Sequence, residues 1–312
     1  MRVLAQNQIT GLSRLKLFLA LSRTPHVLLD IATPAFAALL WLGDFPPLKV
    51  ILIGIVTAFA GYTAVYALND LIDSRVDREK IQQADPGEPG DYLDAPSIRH
   101  PIAQGALSFK KGLLWVLAWA ALAGIGAFLL NPVCVVIFAV ACAMEILYCL
   151  LLRVTHLRSL VSGVVKSSGG IAAVFAVEPH PSLFFLMFLF LWLFFWEIGG
   201  QNVPNDWTEM KVDRRIGAKT LPVRFGPEGT SILIIGSLFM TVILAILLFW
   251  LTSGHLELPF VLASLVVGVY LLIVPAYRLR KTKKPRHALV LFNRASFYPL
   301  ALLALITIRI LF

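Results

Sequence analysis

Asn69, Asp73 and Asp77 stand at positions i, i+4 and i+8 in the stretch YALNDLIDSRVDREK, residues 66–80. On a helix of 3.6 residues per turn this spacing stacks three oxygen-bearing side chains along one face, with Asp70 just around the side. A column of carboxylates repels itself unless a cation sits among them. Hard oxygen donors suit Mg²⁺, which commonly binds through one or two carboxylates together with substrate phosphates. A solvated acidic helix end is the plainer alternative, and a second copy argues against it: residues 205–213, NDWTEMKVD, place Asn205, Asp206, Glu209 and Asp213 in the same pattern, N-D-x-x-[DE]-x-x-x-D. Two such ladders facing each other would hold more than one Mg²⁺ and, between the ions, a diphosphate.

The elements that must carry these ladders are membrane spans. Of the 312 residues, 58% are hydrophobic and 14% charged, and the mean hydropathy of +0.81 lies outside the range of soluble domains. Apolar runs near 24–43, 49–68, 112–130, 133–152, 159–178, 182–203, 229–252, 258–277 and 289–311 are each about the 20 residues an α-helix needs to cross a bilayer core. The expected fold is all-α, a polytopic bundle of nine transmembrane helices in one domain. The recurrence of the ladder suggests two internal repeats, about 20–150 and 155–312. The fifth run, VSGVVKSSGGIAAVFAV, carries Lys166 among Ser and Gly, so Lys166 is expected to face a polar cavity or pair with an acid.

Four runs separate the two ladders, an even number, so both emerge on the same side of the membrane and can converge on one site. The 27 Lys and Arg concentrate in the N-terminal segment and in the loops after runs two, four, six and eight. The opposite loops contribute only Lys49. This asymmetry places the N-terminus in the cytoplasm and the C-terminus outside, in a cell (inner) membrane. The net charge of +9 is therefore mainly a topology signal and implies the lipid bilayer as partner, not nucleic acid. No cleavable signal peptide is evident. Cys134, Cys142 and Cys149 show no metal-type spacing and read as packing residues.

The two ladders and four further blocks resemble the UbiA superfamily of intramembrane prenyltransferases, including its 4-hydroxybenzoate polyprenyltransferase-like members. SRTPH at 22–26 is similar to the family's Arg-x-Pro start of the first helix, and RHPIAQGALS at 99–108 to its Arg-Pro-(Leu/Ile)-x-x-Gly block. YCLLLR at 148–153 is similar to its Tyr-Ser-x-x-x-Lys block, and DRRIGAKTLPVRFG at 213–226 to its Asp-x-x-x-Gly-x-Lys-Thr segment. Departures are Glu209 for Asp, Arg153 for Lys, His100 between Arg99 and Pro101, and a longer loop, EKIQQADPGEPGDYLDAPSI, which reads as a cover over the site or as a surface insertion.

The resemblance implies Mg²⁺-dependent transfer of a prenyl group from a polyprenyl diphosphate donor to a small aromatic acceptor, a quinone precursor such as 4-hydroxybenzoate. It implies Asn69, Asp70, Asp73 and Asp77 as ligands of one ion and Asp206, Glu209 and Asp213 of another. Arg23, Arg99, Arg153 and Lys219 would contact phosphates, with Asn69, Asn205 and Lys166 also among the substrate-binding residues; Asp70, Asp73, Asp206, Asp213 and Arg153 would carry the catalysis. Arg78, Arg214 and Arg215 are weaker candidates, because basic residues flanking a span are more often topology anchors. Glu145, Glu197 and Asp30 are buried acids open to either a functional or a structural role. The aromatic run FLMFLFLWLFFWE reads as lipid-facing, with a carbocation lining as the alternative. A lipid-type acceptor and a transporter are the rival functions. Inverted transporter repeats need an odd number of spans between equivalent points, whereas these ladders lie four apart.

Overall fold

The computed structural model describes residues 11–84, 99–253 and 258–312. Most of the long loop after the first ladder, residues 85–98, lies outside them, so its expected role as a cover does too. Among the described residues nine helices are long and apolar enough to cross a membrane: Thr24–Leu42, Leu48–Gln83, Phe109–Leu130, Pro132–Arg153, Arg158–Val177, Leu183–Thr208, Leu221–Thr252, Leu258–Thr282 and Pro285–Leu311. No strand occurs among those residues. Helices satisfy every backbone donor and acceptor within the segment, which is what a hydrocarbon environment demands. The chain is a multi-pass membrane protein.

The second span is the longest, with 36 residues. At 1.5 Å per residue it runs roughly 54 Å, against about 30 Å of hydrocarbon. The surplus turns carry the first ladder on a rigid rod instead of a loop. The sixth span reaches its ladder differently. It widens into a π-type turn over Glu197–Asn202, and Pro204 follows at the start of the next helical segment. Such a turn shifts the register of everything after it, and so aims Asp206 into the bundle.

The sixth span faces lipid on only part of its surface, less than its composition suggests. Phe185, Leu189, Trp192, Leu193 and Trp196 are buried, packed with Phe36 of the first span, Ile234, Leu238 and Leu248 of the seventh, and Tyr298 and Leu302 of the ninth. Its apolar surface is continuous around the helix, so composition does not mark the buried face; Leu183, Phe184 and Met187 on the opposite side remain exposed. Gly199 makes one of these contacts possible: a Cβ there would lie 2.9 Å from Ser237 Cβ and 3.1 Å from the Ile234 carbonyl oxygen. Because the seventh-span backbone cannot yield cheaply, Gly199→Ala is expected to cost about 1–3 kcal/mol, read as earlier thermal unfolding in detergent. Unchanged stability would mean the two helices are not in van der Waals contact there.

The segment after the described gap is anchored by Ile102 and Leu107, which pack with Leu71, Leu21 and Val116. Arg78 Nε donates to the Ala103 carbonyl at 3.3 Å. His100 sits in this turn at φ 53°, a left-handed conformation that costs a non-glycine residue of order 1 kcal/mol or more.

Candidate active site

A cavity of about 490 Å³ runs among the first six spans and Phe292 of the ninth, from the ladders to an apolar reach lined by Ile51, Gly54, Phe138 and Ala173. Asn69, Asp73 and Asp77 of the second span and Asn205, Asp206 and Glu209 of the sixth span and its end all line it. Arg23, Arg99 and Lys166 line it too. Asp70, Asp213, Arg153 and Lys219 are not part of its wall.

The first ladder is held from two sides. Asn69 Nδ2 donates to Glu145 Oε1 at 2.7 Å, and its Oδ1 accepts from Arg23 at 3.5 Å. His100 Nδ1 lies 2.7 Å from Asp70 Oδ1 and 2.8 Å from Asp77 Oδ2. Burial opposes protonation of this imidazole, but the two carboxylate hydrogen bonds outweigh it and push its pKa up to about 9.

In the second ladder Lys80 Nζ reaches across from the second span to Glu209 Oε2 at 2.7 Å and Asp213 Oδ1 at 2.9 Å. Arg99 approaches Glu209 at 3.7 Å. Although burial works against its charge, Lys80 and Arg99 hold the Glu209 carboxyl well below the usual carboxylate range.

Arg158, which carries no motif, is the residue the sequence reading missed. Its guanidinium is buried on the cavity wall, 4.0 Å from Asp206 Oδ1 and 4.0 Å over the Tyr148 ring. Its Nε has no hydrogen-bond partner among the described residues. Arg153 lies elsewhere. The fourth span ends in a tight turn at Leu151–Arg153, which buries Leu152 against Val212, Ile216 and Ala218. The same turn directs Arg153 outward to an exposed pair with Glu79. Lys219 is likewise exposed; its backbone N–H donates to the Leu152 carbonyl at 2.7 Å. Only this turn decides which of two nearby arginines faces inward, and no spacing rule anticipates it.

Deeper in the cavity Lys166 meets the expectation of an acid partner: its Nζ is 2.6 Å from Asp30 Oδ2 and 3.2 Å from the Tyr66 hydroxyl, which itself donates to Asp30 at 2.5 Å. Glu197 accepts from Ser162 at 2.7 Å. The Tyr66 and Trp196 rings lie 5.6 and 5.3 Å from Lys166 Nζ. Lys166→Met leaves Asp30 as an uncompensated buried charge, expected to cost about 3–5 kcal/mol. Restoring neutrality with Asp30→Asn in the same chain should return much of the folded yield seen by gel filtration in detergent. No recovery would show that the pair does more than balance charge.

Oxygen donors dominate the ladders. Asp206 Oδ2, Asn202 Oδ1 and Asp70 Oδ2 are buried without a hydrogen-bond partner among the described residues. Unsatisfied buried oxygens are costly, and such a donor set fits a hard divalent cation. His100 with Asp70 and Asp77 brings three further ligand atoms within 4.8 Å of one another.

Comparison with known proteins agrees with this geometry. A digeranylgeranylglyceryl phosphate synthase of Methanosarcina barkeri is 28% identical over 261 residues, covering 83% of this chain and 82% of the relative. A 4-hydroxybenzoate octaprenyltransferase of Actinobacillus pleuropneumoniae is 25% identical over 218 residues, covering 68% and 67%. The structure of a UbiA homolog from Archaeoglobus fulgidus bound to DMAPP and Mg²⁺ superposes with a TM-score of 0.64 at 17% identity, over 93% of this chain and 99% of that one. The profile of the UbiA prenyltransferase family matches residues 31–297. With two acidic ladders facing one cavity in a nine-span bundle and a family match over most of its length, this chain belongs to the UbiA prenyltransferase family and is a prenyltransferase.

Proposed function

We propose that the protein transfers a prenyl group from a polyprenyl diphosphate to an aromatic quinone precursor such as 4-hydroxybenzoate, with Mg²⁺, at a site open to the cytoplasm in the inner membrane. The observation that carries this reading is that Asp73 and Asp206, one from each ladder, line the same cavity as Arg23, Arg99 and Arg158 and an apolar reach suited to a hydrocarbon tail. Asn69, Asp73, Asp206 and Asn202 would hold Mg²⁺, which when bound draws off charge developing on the diphosphate oxygens. Arg23, Arg99 and Arg158 would grip the phosphates, since guanidinium groups suit two-pronged contact.

The allylic carbon–oxygen bond then breaks, diphosphate leaves with the electron pair, and the positive carbon faces the Tyr62 and Tyr66 rings on the cavity wall. The acceptor forms the new bond to that carbon and gives up a proton, which Glu145 or Glu197 on the cavity wall would take. The apolar walls exclude water that would otherwise capture the carbon.

The longer match to a digeranylgeranylglyceryl phosphate synthase supports a second reading, a lipid-type acceptor. Incubating purified protein with radiolabelled geranylgeranyl diphosphate, Mg²⁺ and each acceptor class separates the two. Labelled product from 4-hydroxybenzoate alone supports the first reading; product only from geranylgeranylglyceryl phosphate replaces it with the second. No Mg²⁺-dependent release of diphosphate with any acceptor would sink both. For orientation, an impermeant thiol reagent applied to intact cells should label Asp44→Cys but not Lys281→Cys in a chain lacking its own cysteines. The reverse pattern would invert the topology.

A further inference from the structure

Lys80 lies three residues beyond Asp77 on the second span, yet it bonds to the other ladder. Its Nζ sits between Glu209 Oε2 and Asp213 Oδ1, at 2.7 and 2.9 Å, with the Asp213 side chain fully buried. A divalent ion shared by those two carboxylates would need oxygens at about 2.0–2.1 Å, in the volume the ammonium occupies. One position cannot hold both cations.

His100 repeats the arrangement in the first ladder, between Asp70 and Asp77 at 2.7 and 2.8 Å. In the second ladder one pair of carboxylates is thus closed on a protein ammonium, and in the first a pair is bridged by an imidazole. Asp73 and Asp206 are the ladder carboxylates on the cavity wall that neither Lys80 nor His100 bridges.

We propose that Lys80 is a built-in cation standing where a second divalent ion would bind, so that the chain takes one divalent ion where two acidic ladders suggest two. This rests on the metal-dependent reading above. Lys80 also ties the second span to the helix Met210–Arg215, because Asp213 belongs to that helix. The inter-ladder spacing is then set by a covalently attached charge and not by a dissociable ion. Removing the ammonium leaves two close carboxylates with only Arg99, 3.7 Å from Glu209, to offset them, a pair that recruits a divalent cation.

The test counts Mn²⁺ bound per chain, by the loss of the free-ion paramagnetic resonance signal, in purified full-length protein with saturating geranyl S-thiolodiphosphate, an unreactive donor analogue. Wild type is expected to bind one Mn²⁺ per chain, Lys80→Arg also one, and Lys80→Met two, a doubling that needs no turnover to be seen. Two ions in wild type, or one in Lys80→Met, overturns the proposal while leaving metal-dependent transfer standing. No Mn²⁺ in wild type with the analogue present overturns both. Should Lys80→Met fail to give monodisperse protein, the wild-type count decides alone: one supports the proposal and two rejects it.

Discussion

Replacing Asp73 or Asp206 by Asn is expected to lower prenyl transfer by about a thousandfold or more, with folded protein in the membrane unchanged. Each substitution keeps side-chain size and one oxygen but removes a charge from the cavity wall, one from each ladder. Metal-assisted charge stabilisation contributes several kcal/mol, and each 1.36 kcal/mol is a factor of ten in rate, so about 4 kcal/mol gives the thousandfold. Because the two residues serve one site, the double variant should be little worse than either single one, the non-additivity of groups that act as a unit. Turnover of labelled donor at saturating Mg²⁺ checks this. If either variant stayed within tenfold of wild type, the ladders would not share a site.

The second large effect separates two arginines five residues apart. Arg158→Ala removes a buried guanidinium 4.0 Å from Asp206. Truncating one member of a buried charged contact costs about 2–5 kcal/mol, so kcat/KM for the donor should fall by roughly thirtyfold to several thousandfold. Arg153→Ala removes only an exposed pair with Glu79, worth at most about 1 kcal/mol, and should change the same constant by less than about fivefold. Sequence resemblance favours the opposite ranking, which makes the comparison decisive: a larger loss in Arg153→Ala would show that the turn after the fourth span presents a different arginine to the substrate.

Spans and both ladders were legible in the sequence because each depends on local periodicity or composition. A run of about 20 apolar residues has no alternative to a helix in hydrocarbon. Likewise, an i, i+4, i+8 column of Asn69, Asp73 and Asp77 shares a face on any helix. Lys166 was legible for the same reason: a charge at that depth needs a partner, and Asp30 supplies it. What only the tertiary structure decided is which members of each column line the cavity and which are bridged by a basic side chain. His100 closes on Asp70 and Asp77 through a left-handed turn, Lys80 crosses from one ladder to the other, and a three-residue turn exchanges Arg153 for Arg158. These are contacts between segments distant in the chain, and their geometry depends on turns whose rotation shifts with a single residue. The aromatic sixth span belongs with them, since composition alone does not distinguish a helix surrounded by lipid from one surrounded by other helices.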